Sequence, residues 1–230
     1  MRSIAPATRL DRTVAIKVLP ANLSSDASLK QRLEREAKAI SKLSHPHICT
    51  LHDVGHQDGV DFLVMEYLEG ETLERRLTKG PLPPEQTIRY GSQIADALAK
   101  AHKLGITHRD LKPSNVMLTK TGAKLMDFGL AKQSGAAPLA TALTEMTMEQ
   151  SKLTSEGMLV GTFQYMAPEQ LEGKEADPRT DIFALGELIH EMATGKPAFG
   201  GHSRASLIAA ILTTDPPPSR RPAERSARGD

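Results

Sequence analysis

The sequence reads His108-Arg109-Asp110-Leu111-Lys112-Pro113-Ser114-Asn115, and twelve residues after Asn115 it continues Asp127-Phe128-Gly129. These two stretches combine a carboxylate and a cation, Asp110 and Lys112, with two further oxygen donors. Carboxylate and amide oxygens are the ligands that Mg²⁺ prefers, and a carboxylate can orient a hydroxyl nucleophile and accept its proton. A nearby cation can balance the charge of a phosphoryl group. The spacing therefore indicates phosphoryl-transfer chemistry.

The residues between these two stretches predict a β-hairpin. Two short apolar runs, 116–118 and 123–126, are separated by a polar turn at Thr119–Gly122. Antiparallel strands joined by a short turn return the chain to its starting end. We therefore expect Asn115 and Asp127 to lie close together.

Composition restricts the class of protein. The chain has 230 residues, 39% of them hydrophobic and 25% charged, which is typical of a soluble globular domain. Its net charge of +1 predicts no general attraction to nucleic acid or to anionic membranes. Cys49 is the only cysteine, so no intrachain disulfide can form, and a reducing cytoplasm is the expected location. No apolar run is long enough to span a membrane, and no signal peptide is visible.

Hydrophobic patterning predicts mostly strands in the first 70 residues. Residues 13–19 are rich in β-branched side chains, and residues 48–55 and 62–67 predict two further strands. Between them, apolar residues recur at helical spacing from Leu29 to Leu43 and predict one helix.

After Gly70 the pattern becomes helical. Helices are predicted over 71–77, from Pro83 to Gly105, over 181–194 with Asp181 as the N-cap, and over 204–212. Residues 133–158 show no clear period and predict a long loop. Residues 216–230, rich in Pro and Arg, predict a disordered tail.

Four motifs together resemble the catalytic domain of protein serine/threonine kinases, of the kind that bacteria share with eukaryotes. In order along the chain they are Val14-Ala15-Ile16-Lys17, His108-Arg109-Asp110, Asp127-Phe128-Gly129 and Ala167-Pro168-Glu169. The resemblance runs from about Leu10 to Asp215. It implies an α+β, two-lobed fold with a partial strand-rich N-lobe over 1–68, a larger helical C-lobe over 69–215 and a tail over 216–230.

The resemblance also implies roles for the charged residues. Lys17 would hold the α- and β-phosphates of ATP, and Glu36 would pair with Lys17. Asp110 would orient the substrate hydroxyl, and Lys112 would neutralise the moving phosphoryl group. Asn115 and Asp127 would bind Mg²⁺.

The same resemblance predicts a pocket for the adenine base. Met65 would stand at its back, the main chain from Glu66 to Leu68 would hold the base, and Ala15 and Met117 would enclose the ring. Four side chains would stack as an apolar spine between the lobes: Ile40, Leu51, His108 and Phe128. Asp181 would anchor the backbone of the catalytic loop.

Two departures from the family pattern predict a domain truncated at both ends. The thirteen residues before Val14 contain no glycine, so the glycine-rich loop, the first strand and most of the second are expected to be missing. Beyond the 204–212 helix the later helices are also expected to be missing. Glu169 is then expected to lack its arginine partner.

The resemblance implies transfer of the ATP γ-phosphate to Ser or Thr hydroxyls of protein substrates. A second kinase copy is the expected donor for phosphorylation of the 133–158 loop, where Thr154 would pair with Arg109. The alternative is an inactive, pseudokinase-like interaction module, which the missing glycine-rich loop favours.

Two plainer interpretations stay open beside these. Glu36 lies in the charged run Glu34-Arg35-Glu36, which is also typical of a solvated helix face. The histidines at positions 45, 47, 52 and 56 suggest a zinc site, although the single cysteine disfavours one.

Overall fold

A computed structural model describes residues 2–7, 12–19, 27–128 and 163–216, with side chains at 13–19, 30–31, 33–128 and 163–216. The first part of the chain forms a four-stranded antiparallel sheet of order β1-β2-β4-β3. Its strands are β1 (Arg2–Ala7), β2 (Arg12–Val18), β3 (Leu51–Gln57) and β4 (Val60–Glu66), with helix α1 (Ala27–Ile40) against β3. The predicted strand-rich lobe with one helix is therefore confirmed.

Strand β1 corrects one part of the sequence analysis, which expected no strand before Thr13. It pairs with β2 from Arg2 opposite Lys17 to Ala7 opposite Arg12. The segment contains Pro6 and has no alternation of apolar residues, so periodicity gave no signal. An edge strand tolerates proline because one side of its backbone needs no partner.

Helix α1 buries the predicted apolar stripe. Leu33, Ala37 and Ile40 are all buried, as the spacing of three and four residues requires. The helix ends at Ile40, earlier than its pattern suggested, and Leu43 enters the core from the turn that follows.

The second part of the chain is mainly helical. Its elements are β5 (Gly70–Thr72), α2 (Leu73–Leu77), α3 (Pro84–His102), a short 3-10 helix (Pro113–Asn115), β6 (Val116–Thr119), β7 (Gly122–Leu125), α4 (Pro168–Leu171), α5 (Pro178–Thr194) and α6 (Arg204–Thr213). Strands β6 and β7 form the predicted hairpin, with Val116 opposite Leu125. The two-lobed α+β expectation holds.

The helix predicted over 71–77 is wrong in its first residues, because Gly70–Thr72 adds a strand to the hairpin. Gly70 has φ 154°, and a Cβ at this position would lie 2.0 Å from the Leu118 carbonyl oxygen. Only glycine allows this close approach between β5 and β6.

A direct backbone connection joins the two parts. Ile48 forms a parallel bridge with Leu125, and the Cys49 N–H donates to the Leu125 carbonyl over 2.8 Å. The main core continues across this junction and includes Ile48, Leu63 and Leu98, each 2% exposed or less. The β6–β7 hairpin is thereby held against the segment that leads into β3 of the first sheet.

Several predictions concern residues outside the described ranges: Gly129, the 133–158 loop with Thr154 and nearly all of the 216–230 tail. Within the described ranges, no helix combines the length and the apolar character needed to cross a membrane. The candidate zinc histidines make separate contacts, with His45 on Asp96, His47 on the Ala123 carbonyl and His56 on Asp61.

Candidate active site

The loop before β6 brings three predicted site residues together. Lys112 Nζ lies 3.0 Å from Asp110 Oδ2. The 3-10 helix turns Asn115 back, so that its Nδ2 donates to the Asp110 carbonyl over 2.8 Å and to Asp110 Oδ2 over 3.0 Å. Because the amide nitrogen is engaged, the amide oxygen of Asn115 is the atom available to a cation.

The hairpin places Asp127 next to this loop. The Met126 N–H donates to the Asn115 carbonyl over 2.9 Å, directly before Asp127. Asp127 has a φ of 59°, in the left-handed region, so the backbone changes direction just after strand β7. Lys17 Nζ of the first sheet lies 2.9 Å from Asp127 Oδ1, and the two side chains are 27% and 11% exposed. The predicted cation and metal-binding carboxylate therefore meet across the cleft.

Asp181 anchors the backbone of the catalytic loop, the segment that begins at His108 and contains Asp110. Its carboxylate accepts from the His108 and Arg109 N–H groups over 2.8 Å each, and it lies 2.7 Å from His102 Nε2. Arg109 has φ 64°, so these bonds hold a strained backbone conformation. The anchoring role of Asp181 matches the expectation from the resemblance.

The expectation that Asp181 also caps its helix is wrong. Helix α5 begins at Pro178, and Asp177 is its N-cap, accepting from the Arg179 N–H over 2.8 Å. Proline at the first helical position is common because its missing N–H is not needed there. Asp181 is consequently free of capping and turns inward, where it is 1% exposed.

His108 is a packed core residue, as predicted. The Asp110 N–H points to its Nδ1 over 3.3 Å, so Nε2 carries the proton and donates to the Met126 carbonyl over 3.0 Å. Its ring lies 4.6 Å from that of Phe128. Burial lowers the pKa of His108, opposed by the nearby charge of Asp181. The imidazole is therefore neutral and structural. The three other members of the predicted spine, Ile40, Leu51 and Phe128, are buried in the same core.

The residues predicted to bind the adenine base lie on strands β2, β4 and β6 and directly after β4. Ala15 is opposite Met65, which is 8% exposed. The Glu66 carboxylate is occupied by Lys124 Nζ at 2.5 Å and the Thr50 N–H at 3.2 Å, so only its main chain is available to a base. Met117 lies on β6 and Leu68 is half-buried between the lobes. The adenine contacts of these residues stay predictions.

Glu36 lies on the inner side of α1. It lines a cavity of about 170 Å³ together with Ile40, Arg109 and Phe128. The solvated-face interpretation is therefore disfavoured, since Glu36 is only partly exposed. Its ion pair with Lys17 stays a prediction.

Glu169 has a partner that the sequence analysis did not foresee. The Thr180 hydroxyl donates to Glu169 Oε1 over 2.5 Å, and Thr180 is 2% exposed. The expectation of an unpaired carboxylate is therefore wrong. A threonine in the first turn of α5 gives no signal in sequence, because its nearness to α4 arises only in the tertiary structure.

Gln170 is a further site residue that sequence reasoning missed. Its Nε2 donates to the Arg109 carbonyl over 3.1 Å, and its Oε1 accepts from the Ala167 N–H over 3.1 Å. It joins α4 to the catalytic loop. Its position three residues into α4 is typical of a capping glutamine, and that was the only available signal.

The two-lobed α+β fold places two groups of predicted site residues around one cleft: Asp110, Lys112 and Asn115 in the loop before β6, and the Lys17–Asp127 pair. The protein kinase domain model matches residues 5–222, and the chain belongs to the protein kinase family. It is 39% identical over 220 residues to the serine/threonine-protein kinase PknB of Mycobacterium leprae, covering 93% of this chain. It is 37% identical over 214 residues to the serine/threonine-protein kinase PrkC of Bacillus subtilis, covering 92% of this chain.

A solved structure shows the same fold. The kinase domain of Mycobacterium tuberculosis PknI matches with a TM-score of 0.67 and 26% sequence identity, over 94% of this chain and 72% of that one. The chain spans about a third of the curated relatives it matches, 33% of the M. leprae protein and 31% of the B. subtilis protein.

Proposed function

We propose that this chain transfers the γ-phosphate of ATP to Ser or Thr hydroxyls of protein substrates. The observation that carries the proposal is the cluster of Asp110, Lys112 and Asn115, with contacts of 2.8–3.0 Å, facing the Lys17–Asp127 pair. Each of these five side chains lies at hydrogen-bonding distance from another member of the set.

Asp110 orients the substrate hydroxyl and accepts its proton. General-base catalysis of this kind contributes about 10²–10⁴-fold in rate. Lys112, held 3.0 Å from Asp110, places a positive charge where the phosphoryl group moves. Lys17 brings a second charge from the opposite lobe. These fixed charges stabilise the transition state because they need no reorganisation during transfer.

The cleft also suits a divalent cation, and Mg²⁺ is part of the proposal. Asn115 and Asp127 supply only oxygen donors, as Mg²⁺ prefers. Their backbones are joined through the Met126 N–H bond to the Asn115 carbonyl. When bound, the cation would neutralise charge on the phosphates of ATP. Lys17 would contact the phosphates of ATP, and Asp127 would contact the cation bound to them.

The same proposal includes protein substrates with Ser or Thr. It also includes a second kinase copy that phosphorylates the 133–158 loop, and a cytoplasmic location, where ATP is available. The pseudokinase-like alternative has no observation in its favour, since the relatives compared above are named as kinases.

Transfer of radiolabelled γ-phosphate from ATP to a generic basic protein tests the proposal. We expect label on Ser or Thr with the chain and none with Asp110→Asn. Equal labelling by the chain and by a folded Asp110→Asn variant would contradict the assigned base.

A further inference from the structure

Arg204, the first residue of α6, lies outside the proposed catalytic set, and its hydrogen-bonding groups are incompletely used. Its guanidinium lies over the Phe163 ring, with the Cζ atom 3.9 Å from the ring centroid. Two of its nitrogens, Nε and Nη2, are buried without a hydrogen-bond partner within the part of the chain that the structure describes. Together they form an edge of the guanidinium that can bind a carboxylate or a phosphate through two parallel hydrogen bonds. The edge that recognises such anions is therefore the one whose donors are unsatisfied.

The positive charge of Arg204 is also poorly compensated by its surroundings. Burial lowers the pKa of the guanidinium, and no carboxylate among the described residues opposes this shift. The first turn of a helix is moreover the positive end of its dipole, where a cation is disfavoured. The backbone of this turn is already capped, since Ser203 Oγ accepts from the Ser206 N–H over 3.2 Å. The unmet capacity for an anion therefore lies in the guanidinium itself.

Packing holds the Phe163 ring in place against Arg204. Phe163 is 6% exposed and belongs to a small apolar core that includes Phe199 and Leu207. The Gln164 side-chain amide donates to the Phe199 carbonyl, which ties the segment before α4 to the segment before α6. Arg204 is only partly buried, so a ligand can approach its side chain from the solvent. The ring is thus a fixed support for a cation that a ligand can reach.

This pair is connected to the catalytic loop through α4. A turn leads from Phe163 into α4, where Gln170 Nε2 donates to the Arg109 carbonyl over 3.1 Å, directly before Asp110. The segment from Phe163 to Gln170 is short and partly coiled into the helix, so it spans at most roughly 25 Å. A protein segment that presents its hydroxyl to Asp110 therefore has other residues within reach of Arg204.

We propose that the Arg204 guanidinium, supported by the Phe163 ring, binds an anionic side chain of the protein substrate, either a carboxylate or a phosphorylated hydroxyl. The inference rests on the proposed kinase function. Both anions present two oxygens to the donors at Nε and Nη2, and such charge-assisted bonds are about twice as strong as neutral ones. Stacking on the ring orients the planar guanidinium before the anion arrives, so less side-chain freedom is lost on binding.

Peptide phosphorylation and peptide binding test this anion site together. The probes are threonine peptides in an alanine background, with one glutamate, or one phosphoserine, placed in turn at each other position. We expect the anion at one position to raise kcat/KM over the all-alanine peptide by about tenfold or more, mainly through KM, since one charge-assisted bond is of that size. Fluorescence anisotropy of the same labelled peptides measures the preference without turnover.

Arg204→Met keeps an apolar side chain over the ring and removes the charge, and we expect it to lower the anion-to-alanine ratio toward one in both assays. Arg204→Lys keeps the charge without the fork of donors and should retain only part of the preference. Arg89→Met is the matched control, because Arg89 also lies over an aromatic ring, that of Tyr90 at 4.8 Å, but on the exposed surface of α3. It should keep the full preference.

The outcomes separate the two proposals. If no peptide is phosphorylated but anionic peptides bind through Arg204, the kinase proposal fails and the anion site stands. If threonine is phosphorylated but no position shows a preference for an anion, or the preference survives in a folded Arg204→Met variant, the anion site is overturned and the kinase proposal stands.

The two probes also distinguish the sources of the anion. Equal preferences for glutamate and phosphoserine would show that a carboxylate is sufficient, and they would support the site. A preference for phosphoserine alone would also support it, and would show that the site recognises a substrate that is already phosphorylated. A full preference in Arg204→Lys would contradict the two-bond geometry at Nε and Nη2.

Discussion

At the scale of single residues, Asp181 shows how one buried carboxylate organises a site that it does not touch. It accepts two backbone N–H groups of the catalytic loop, at His108 and Arg109, and contacts the His102 ring. It thereby holds Asp110, one residue further along, at a fixed position. Asp181 is a positioning residue, since none of its contacts reaches the cleft.

The first prediction concerns this anchor. Asp181→Ala leaves two buried N–H groups without acceptors, and we expect a loss of about 3–5 kcal/mol in the free energy of unfolding. Urea unfolding measures it. Asp177→Ala removes the exposed helix cap and an exposed ion pair with Arg179, and it should cost clearly less. Equal losses in the two variants would contradict the anchoring role.

The second prediction concerns Asp110 as the general base that accepts the hydroxyl proton. Asp110→Asn should lower kcat by about 10²–10⁴-fold, because the amide cannot accept the hydroxyl proton. Thermal unfolding should show that the fold is retained. Asp96→Asn is a suitable control, since the Asp96 side chain is 70% exposed and lies 3.1 Å from His45 Nε2, away from the predicted site residues. Full activity of Asp110→Asn would overturn the assignment.

At the scale of elements, α5 performs two tasks on one helix. Its first turn carries Asp181 and Thr180, which hold the catalytic loop and α4. Its later turns carry Glu187 and Glu191, whose ionisation depends on what lies against them. One helix of 17 residues therefore carries both the anchor of the catalytic loop and this pair of largely buried glutamates.

The third prediction is a pH dependence of stability. Burial raises the pKa of Glu187 to about 8 in the folded state, from a value of 4.5 for the free side chain. Between these values the folded state binds more protons than the unfolded state, so stability falls as pH rises, by up to about 1.4 kcal/mol per pH unit. The groups that face Glu187 and its neighbours are Glu191, Tyr165 and Glu74.

Urea unfolding between pH 6 and pH 9 measures this effect. The advantage of Glu187→Gln over the native chain should grow up to about pH 8 and then level off. Glu85→Gln should follow the native curve. An advantage that does not change with pH would show that Glu187 titrates normally.

The fourth prediction concerns the loop over 133–158, which lies outside the described residues. Arg109 Nε is buried without a hydrogen-bond partner, so a phosphate would find a cation there. A phosphothreonine adds about −1.5 to −2 charges and pairs well with guanidinium. We expect mass spectrometry to find phosphate on this loop, with Thr154 favoured, after incubation with an active relative.

Limited proteolysis then tests the pairing. Phosphorylation should slow cleavage between residues 133 and 158, and Arg109→Ala should abolish this protection. Arg179→Ala, at a side chain that is 89% exposed, should leave it intact. Equal protection with and without Arg109 would contradict the switch.

At the scale of the whole molecule, the nucleotide would bridge the two lobes. Lys17 comes from the first sheet and Asp127 from the catalytic hairpin, and they meet at 2.9 Å.

The fifth prediction follows from this bridge. ATP with Mg²⁺ should raise the unfolding temperature, because a ligand that binds only the folded state stabilises it increasingly as its concentration exceeds Kd. Lys17→Met should remove most of the shift. Lys30→Met is the control, since the Lys30 side chain is 37% exposed and pairs with Asp61 instead of Asp127. Tight binding that persists in Lys17→Met would contradict the cleft assignment.

The sequence determined the fold class and the hairpin and predicted the candidate catalytic residues, because these depend on local periodicity and on motifs of adjacent residues. Val14 to Lys17 and His108 to Asn115 are read directly from the chain. Strand β1 was missed because an edge strand with a proline lacks alternation, and the cap of α5 was misplaced because Asp177 and Asp181 look alike in sequence.

Only the tertiary structure decided the partners of distant residues. The bond from Thr180 to Glu169, the contact of Lys17 with Asp127 and the unpartnered Oε2 of Glu187 all depend on how helices and lobes pack. Hydrogen bonds and ion pairs act over a few ångströms in space, whereas periodicity reports only neighbours along the chain. For that reason the sequence predicted the candidate catalytic residues, and only the packing decided which of their side chains meet.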